Sequence, residues 1–253
     1  MLALDFDGVV CDALGECAAV TWYAANAGAN VPPGPAAAVR RVPAAFLATF
    51  ASARAYSRTL ADFMVANAVR SGVTLDRVTF ERWRAEVGPG RLAAQARRGE
   101  TIRAEWRRTY PKEWIGLHKV QAQVASLVRA VDEPLAIVSA KDAESIREIL
   151  AAAGLDQCVS RIVGSCQDKP AVLAELVADA QRQSGARRVL FIDDNLENAL
   201  AAARMPGIES HWAHWGYHGP EDDRAAAKAG MPPLLLDQVG DLGHATALGA
   251  NHS

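Results

Sequence analysis

Four short segments of this sequence hold polar residues whose types and order suit metal-assisted phosphoryl transfer. In chain order they are residues 4–10 (LDFDGVV), 137–139 (IVS), 168–170 (DKP) and 191–195 (FIDDN). Each segment places a charged or hydroxyl group directly after an apolar run or at the start of a predicted helix. Active sites at the carboxyl ends of parallel strands require this placement.

The first segment contains two carboxylates that are two residues apart, Asp5 and Asp7. A carboxylate can attack phosphorus and form an aspartyl-phosphate, which divides one difficult displacement into two easier steps. A second carboxyl group can protonate the leaving oxygen and later deprotonate the attacking water. Gly8 permits the tight turn that this arrangement needs, and we expect it beside the bound substrate.

The other three segments supply the remaining groups for such a reaction. Ser139 can donate its hydroxyl to a phosphoryl oxygen, and Lys169 can neutralise charge on the phosphoryl group and on Asp5. Asp193 and Asp194 follow an apolar run and offer hard oxygen ligands. Carboxylates with few competing His or Cys ligands favour Mg²⁺, so we expect a magnesium cofactor.

The elements that must position these groups alternate between strand and helix. Strands are predicted at 2–6, 135–138, 161–163, 188–192, 208–212 and 234–236. Helices are predicted at 120–130, 142–153 and 170–183, with Gly154 after the second and Pro170 opening the third. This alternation predicts an α/β fold with a Rossmann-like, doubly wound parallel sheet.

Residues 15–118 interrupt the alternation with long helical patterns, an expected break at 88–90 (GPG) and no strand pattern. We predict an inserted α-helical domain at 15–118, a core formed by 1–14 and 119–240, and a flexible tail at 241–253. Residues 40–113 carry 15 Lys and Arg against 7 Asp and Glu. This surplus can attract an anionic substrate, although we expect most of the arginines to solvate helix faces.

Two arginines of the inserted region are candidates for substrate recognition. Arg54 and Arg58 are expected one helical turn apart, where they can bind a second anionic or hydroxylated group of the substrate. Trp83, Trp106 and Trp114 can line a cleft, but aromatic residues at helical spacing are more typical of a core.

The ordered segments resemble the haloacid dehalogenase (HAD) superfamily, whose phosphatase branches carry D-x-D-G-[VT], a strand-end Ser or Thr, a Lys and an acidic pair. The resemblance implies a C1-type helical cap that closes over the site. Only 30 positions separate Ser139 from Lys169, whereas more than 100 separate Asp7 from the next core helix. The inserted helical domain therefore lies where a C1 cap is expected.

The resemblance also implies a role for each matching residue. Asp5 matches the nucleophile, and Asp7 matches the acid/base whose backbone carbonyl also binds Mg²⁺. Ser139 matches the phosphate-binding hydroxyl, and Lys169 the stabilising lysine. Asp194 matches the invariant metal-binding aspartate, and Asp193 the more variable acid before it. The family often has another acid where this chain has Asn198, so Asn198 either orients Lys169 or contacts the metal shell.

The implied function is a Mg²⁺-dependent phosphatase that hydrolyses a small phosphorylated metabolite, such as a sugar phosphate or a phosphoglycolate-like phosphomonoester, through an aspartyl-phosphate. Two alternatives stay open: a phosphomutase of the same fold and a catalytically idle HAD-like binding module. A dehalogenase is disfavoured because that branch lacks the second aspartate, present here as Asp7. A phosphonate-cleaving relative needs a lysine early in the cap, and no lysine lies between Asp7 and Lys112.

Bulk composition favours a globular enzyme of the cytoplasm. A chain of 253 residues, half of them hydrophobic, can bury a full core. The apolar start meets Asp5 too early for a signal peptide, and no stretch approaches the roughly 18 apolar residues of a membrane span. The net charge of −2 and the lack of a binding motif argue against nucleic acid. The expected partner is a small phosphorylated substrate, and a homodimer stays open.

The remaining metal-binding residue types do not predict a further site. The cysteines show no C-x-x-C pair and are predicted as small buried residues; they are Cys11, Cys17, Cys158 and Cys166. His211, His214 and His218 suggest zinc by residue type alone. Because strand residues three apart face opposite sides, His211 and His214 are not expected to converge on one ion.

Overall fold

The computed structural model describes residues 1–26, 34–70, 73, 75–184 and 188–242, without the side chains of 183 and 184. The chain divides into two compact units. The α/β unit comprises Met1–Asp12, Val120–Tyr217 and the chain from Asp222 onwards, and the helical unit comprises Ala13–Lys119 and His218–Glu221. Most of the predicted tail at 241–253 lies outside the described residues.

The described part of the chain forms eight strands and twelve α-helices. The strands are β1 Leu2–Leu4, β2 Cys11–Asp12, β3 Lys119–Val120, β4 Leu135–Val138, β5 Arg161–Val163, β6 Val189–Asp193, β7 Ile208–Ala213 and β8 Pro233–Leu234. The helices are α1 Leu14–Ala25, α2 Pro35–Arg41, α3 Ala44–Arg54, α4 Leu60–Phe63, α5 Arg77–Val87, α6 Pro89–Thr109, α7 Pro111–Ile115, α8 Ala122–Ala130, α9 Ala143–Ala152, α10 Lys169–Ser184, α11 Leu196–Ala203 and α12 Asp222–Ala229.

Six parallel strands form the sheet of the α/β unit, in the order β5-β4-β1-β6-β7-β8. The chain moves outward from β1 through β4 to β5, and then returns to the other side of β1 to build β6, β7 and β8. Leu4 is in register with both Ile137 and Ile192. The predicted doubly wound α/β fold is confirmed, and its switch point lies at β1, where ligands of such sheets bind.

The sheet is stable because its central strands are apolar on both faces. Ala3, Val138 and Phe191 lie in one buried cluster with Leu173 and Leu176 of α10. Burial of this kind contributes about 25 cal/mol for each Å² of apolar surface removed from water. The rigid apolar layer therefore fixes the positions of the polar residues that follow each strand.

Two predicted strands are shorter in the structure. The strand predicted at 2–6 ends at Leu4, because the amides of Val10 and Cys11 both donate to the carbonyl of Phe6 and curl the chain. The strand predicted at 234–236 ends at Leu234, and a short 3₁₀ helix, Leu236–Gln238, follows it. The predictions for 135–138 and 161–163 are confirmed.

The predicted core helices are confirmed to within two residues at each end. Asp142 caps α9, since its Oδ1 accepts a hydrogen bond of 2.8 Å from the amide of Ser145. Gly154 follows that helix with a φ of +64°, a conformation that glycine adopts without strain. α10 begins at Lys169, so its first turn places this lysine at the carboxyl edge of the sheet.

Helices α1 to α7 build the helical unit, and the part of 15–118 that the structure describes contains no strand. α5 and α6 are separated at Gly88, whose φ is +79°, and Pro89 opens α6. Trp106 and Trp114 are fully buried, so they belong to the core of this unit, whereas Trp83 is half-buried.

Residues 218–221 group with the helical unit, although the sequence places them within the 119–240 core. Glu221 explains the difference, because its carboxylate accepts hydrogen bonds from the Tyr56 hydroxyl at 2.9 Å and from the Arg77 amide at 3.1 Å. Tyr56 is buried, and its ring also lies under the guanidinium of Arg77.

None of the helices within the described residues is both long enough and apolar enough to cross a membrane.

Candidate active site

Asp5 lies directly beyond β1, at the switch point of the sheet. Its amide still donates to the Ile192 carbonyl at 2.9 Å, so the strand ladder fixes its backbone. Its Oδ1 accepts a hydrogen bond of 2.7 Å from the Phe6 amide, and its Oδ2 lies 3.1 Å from Lys169 Nζ. Burial raises the pKa of Asp5 to about 6; Lys169 opposes this rise and the nearby Asp193 adds to it.

Lys169 joins two carboxylates through its single ammonium group. Nζ lies 2.7 Å from Asp193 Oδ2 and 3.1 Å from Asp5 Oδ2. Burial lowers the pKa of Lys169, but the charges of Asp193 and Asp5 outweigh burial and raise it above its ordinary value. The lysine is therefore charged at the point where a phosphoryl group would add further negative charge.

Asp193 ends β6 and is completely buried. Besides Lys169, its carboxylate accepts hydrogen bonds from the Asn195 amide at 2.8 Å and from the Asn198 side-chain amide at 3.1 Å. Of the two roles left open for Asn198, this geometry favours orientation of Lys169, which Asn198 reaches through the shared carboxylate.

Asp194 is held by the loop that follows β7. The Tyr217 amide donates to Asp194 Oδ2 at 2.8 Å, and the indole of Trp212 donates to the Asp194 carbonyl at 2.9 Å. Gly8 and Gly216 both approach this side chain so closely that a Cβ on either would lie within 2.2 Å of it. Gly8, with a φ of +97°, therefore packs against a carboxylate of the site.

Ser139 and Lys141 follow β4 at the same edge of the sheet. The Ser139 amide continues the ladder to the Val163 carbonyl at 3.0 Å, and its hydroxyl oxygen accepts from the Lys141 amide at 3.3 Å. The Lys141 ammonium lies 3.3 Å from Asp7 Oδ2. Sequence reasoning missed Lys141, and its place two residues after Ser139 was the available signal.

Asp7 has one paired and one unpaired carboxylate oxygen. Oδ2 faces Lys141, whereas Oδ1 is buried and finds no hydrogen-bond partner among the residues that the structure describes. A buried acceptor without a partner is costly, and sites of catalysis are where such groups are retained.

Three of the carboxylates could hold a metal ion. Asp5, Asp193 and Asp194 each offer an oxygen, these oxygens lie within 4.8 Å of one another, and all three residues are buried. Buried carboxylates that share one lysine carry excess negative charge, which a hard divalent cation would neutralise. This donor set fits Mg²⁺.

The other sequence candidates have separate partners. α3 ends at Arg54, so Arg54 and Arg58 do not lie on successive turns of one helix. The Arg54 guanidinium lies 4.9 Å from the centroid of the Phe63 ring and donates to the Ser57 carbonyl, and Arg58 is exposed. This packing occupies Arg54 inside the helical unit.

His211 and His214 do not converge on one ion, and of the cysteines Cys166 lies beside the site, where its amide donates to the Ser139 carbonyl at 2.9 Å. His211 contacts Glu209 and His214 contacts Asp223, so these two rings have different partners. All four cysteines are free thiols; Cys11 and Cys17 are buried as predicted, whereas Cys158 and Cys166 are half-buried, so the prediction of burial is wrong for the last two. Cys158 is the last residue of a short 3₁₀ helix, Asp156–Cys158, and Cys166 lies in the loop that follows β5.

A family model for haloacid dehalogenase-like hydrolases matches residues 1–205, which include all the charged groups of the site but not the segment after residue 205 that holds Asp194 in place. The chain belongs to the haloacid dehalogenase-like hydrolases. The resemblance drawn from four short segments is thus confirmed, and the protein is a hydrolase of this family.

Solved structures of other proteins show the same fold. A predicted phosphoglycolate phosphatase from Haemophilus somnus 129PT is 17% identical, with a TM-score of 0.61 over 97% of each chain. A predicted phosphatase from Clostridium acetobutylicum is 15% identical, with a TM-score of 0.57 over 95% of each chain. Protein tyrosine kinase A (PtkA) from Mycobacterium tuberculosis is 20% identical, with a TM-score of 0.51 over 91% of this chain and 98% of its own. Identities this low show that the fold is shared, and the fold by itself does not identify the reaction.

A search of curated proteins found no match to this chain.

Proposed function

We propose that this HAD-like hydrolase is a Mg²⁺-dependent phosphatase that hydrolyses a small phosphorylated metabolite through an aspartyl-phosphate on Asp5. The observation that carries the proposal is the pairing of Asp5 with Lys169 at 3.1 Å, at the switch point of the sheet and beside two further carboxylates. A nucleophile, a cation that attracts phosphate and a metal-binding set thus occur together at one edge.

In the first step, a carboxylate oxygen of Asp5 attacks phosphorus and the bond to the leaving oxygen breaks. The Phe6 amide and Lys169 hold the Asp5 carboxylate from both oxygens, which limits its rotation before the attack. Lys169 stabilises the negative charge of the phosphoryl oxygens, and Ser139 is in place after β4 to donate its hydroxyl to one of them.

Asp7 moves the protons of both steps. As a carboxylic acid it gives its proton to the leaving oxygen while the aspartyl-phosphate forms. As a carboxylate it then takes a proton from water, which attacks phosphorus and releases inorganic phosphate and the original Asp5 carboxylate. The partial exposure of the Asp7 side chain, 14%, supports this role, since a carboxyl group that solvent reaches can exchange a proton with substrate or water.

Mg²⁺ would be held by Asp5, Asp194 and the Asp7 backbone carbonyl, with Asp193 next to them. When bound, Mg²⁺ neutralises charge on the phosphoryl group and on the crowded carboxylates. The side-chain amide of Asn198 donates to Asp193 and the backbone amide of Tyr217 donates to Asp194. These hydrogen bonds hold the two carboxylates in position to bind the ion.

We further propose that the helical unit acts as a C1-type cap that selects the substrate. The unit is inserted directly after Asp12, close in sequence to Asp5 and Asp7. A closing cap excludes water until the substrate is bound. The name of the H. somnus relative suggests phosphoglycolate-like compounds as the first substrates to test.

The experiment is a phosphate-release assay across aryl phosphates and a panel of phosphorylated metabolites, with and without Mg²⁺. We expect release that depends on Mg²⁺ for at least one metabolite, and a loss of at least about a thousandfold in kcat for Asp5→Asn, which removes the nucleophile. Acid-quenched wild-type enzyme incubated with ³²P-labelled substrate should carry label that Asp5→Asn lacks.

The matched control is Asp237→Asn, an exposed acid in the 3₁₀ turn after β8 that makes none of the contacts described for the site. We expect it to retain wild-type activity. Absence of Mg²⁺-dependent release across the whole panel would contradict the proposal. Transfer of phosphate between positions of a sugar, without release, would identify a phosphomutase instead.

A further inference from the structure

We propose that Lys141 is a positioning residue that holds one oxygen of Asp7 and so fixes the orientation of the carboxyl group that transfers the proton. The inference rests on the proposed phosphatase function and assigns a residue to its proton-transfer steps. Its basis is the pairing of Lys141 Nζ with Asp7 Oδ2 at 3.3 Å and the burial of the lysine side chain.

The ion pair is buried on the lysine side and slightly open on the aspartate side. The Lys141 side chain is 2% exposed, and the Asp7 side chain is 14% exposed. A buried ammonium loses much stabilisation if its partner swings away, so it strongly favours one carboxylate orientation. Asp7 is thereby held in one orientation, with Oδ2 paired and Oδ1 buried without a partner among the described residues.

The backbone of Lys141 is braced by the loop that follows β5. The Ser165 amide donates to the Lys141 carbonyl at 2.9 Å, and Ser165 adopts a φ of +53°, which is uncommon outside glycine. A Cβ on Gly164 would lie 2.8 Å from the same carbonyl and 2.3 Å from the Ala143 amide nitrogen. Two neighbouring loops are therefore packed so closely that Lys141 has little freedom to move.

A second interpretation of a buried lysine in this site is direct binding of the transferred phosphoryl group. Lys169 already lies between Asp5 and Asp193, beside the nucleophile, whereas Lys141 contacts the acid/base, Asp7. The two interpretations predict different sets of substrates whose kcat/KM falls when Lys141 is replaced, and this difference can be measured.

The experiment compares wild type with Lys141→Met on phosphate esters whose leaving groups range from activated nitrophenols to simple alcohols. The value of kcat/KM reports formation of the phosphoenzyme, which needs an acid only when the leaving group is poor. If Lys141 positions Asp7, we expect kcat/KM to fall by about 10- to 100-fold for alkyl phosphates and by less than about threefold for activated aryl phosphates.

A further signature is expected with activated aryl phosphates. Their second step still needs Asp7 to take a proton from water, so kcat and KM should fall together in Lys141→Met and phosphoenzyme should accumulate. A role in phosphate binding predicts the opposite pattern, with KM raised by a similar factor for all leaving groups. That outcome would overturn the inference.

A double-mutant cycle with Asp7→Asn tests whether Lys141 acts through Asp7. In the Asp7→Asn background, Lys141→Met should change kcat/KM by less than about twofold, because the group it positions no longer transfers a proton. If the double variant instead shows the product of the two single-variant losses in kcat/KM, the inference is also overturned. Lys228→Met, on the exposed surface of α12, is the matched control and should leave all values unchanged.

Two further measurements keep the test decisive. Lys141→Arg retains a charged donor and should recover part of the loss on alkyl phosphates, and thermal unfolding shows whether each variant is folded. If wild type releases phosphate and Lys141→Met loses activity equally for all leaving groups, only the role of Lys141 is rejected. If wild type releases no phosphate from any ester, the proposed function itself is rejected.

Discussion

Each unit of this protein buries carboxylates, but the two units neutralise them in different ways. In the helical unit, Glu16 is completely buried and is bound by Arg103 through two hydrogen bonds of 2.7 and 2.9 Å. The Trp114 indole donates to the same carboxylate at 3.3 Å. In the α/β unit, Asp5 and Asp193 share the ammonium of Lys169, and Asp194 lies beside them.

The difference distinguishes a buried charge that serves stability from buried charges that can bind a ligand. A bidentate arginine satisfies both oxygens of Glu16, so nothing remains to bind a ligand. The aspartates of the α/β unit carry excess negative charge, which raises their energy until a cation binds. We therefore expect substitutions in the first cluster to affect stability, and substitutions in the second to affect ligand binding and activity.

The largest expected effect is on the stability of the helical unit. Arg103→Met leaves Glu16 buried without its cation, and we expect the free energy of unfolding to fall by about 3–5 kcal/mol. Chemical denaturation followed by circular dichroism measures the change. Replacing both partners, as in Glu16→Met with Arg103→Met, should cost less than the single change, because no unpaired charge stays buried.

The control for this prediction is Arg108→Met, which removes an exposed i,i+3 pair with Glu105. Such a pair contributes little in water, so the expected change is below about 0.5 kcal/mol. Equal losses in the free energy of unfolding for Arg103→Met and Arg108→Met would show that the buried Glu16 pair is not specially important for stability.

A smaller effect is expected for Gly8→Ala in the α/β unit. The new Cβ would lie 2.0 Å from Asp194 Oδ2, at a φ of +97° that side chains rarely adopt. Displacement of Asp194 should weaken Mg²⁺ binding by about 10- to 100-fold, a range typical of disturbed ligand support. Isothermal titration with Mg²⁺ measures the affinity.

Gly240→Ala is a matched control for Gly8→Ala, since a Cβ there meets nothing within 4 Å. We expect its Mg²⁺ affinity to equal that of wild type. An unchanged affinity in Gly8→Ala as well would show that Asp194 is not needed for the metal.

The smallest expected effect is a pH dependence of Mg²⁺ binding. Because the pKa of Asp5 is raised to about 6, lowering the pH protonates this carboxyl group in a range where it would otherwise bind the cation. Protons then compete with Mg²⁺, so the increase in Tm that Mg²⁺ produces should be clear at about pH 7.5 and should shrink towards about pH 5.

Asp194→Asn should abolish this Mg²⁺-dependent increase in Tm at both pH values. Differential scanning fluorimetry measures it. An increase that stays the same across the range would mean that ionised Asp5 does not take part in metal binding.

Much of the α/β unit could be predicted from local sequence. Strands at 135–138 and 161–163 read as short apolar runs because both of their faces are buried, and α9 carries its cap and its terminal glycine in the sequence. The strand ends near Asp5 and Leu234 were less predictable, because a curled backbone and a side-chain cap ended them where the apolar pattern continued.

The contacts across long sequence separations could not be predicted. Lys141 meets Asp7 across 134 positions, and Tyr217 holds Asp194 across 23. No sequence motif indicates which carboxylate Lys141 or Tyr217 contacts. Arg54 showed the reverse problem, since its spacing suggested a ligand site and its surroundings are the aromatic packing of the helical unit.

The sequence alone determined the family, the doubly wound sheet and the residues that end its strands, since apolar period and residue type are local properties of the chain. The tertiary structure decided how charge is shared among those residues. Distance and burial set the strength of each ion pair, and only the folded chain brings Lys169, Lys141 and Tyr217 to particular carboxylate oxygens. For this reason only the tertiary structure distinguishes Glu16, which Arg103 neutralises, from the aspartates of the α/β unit, which can bind a cation.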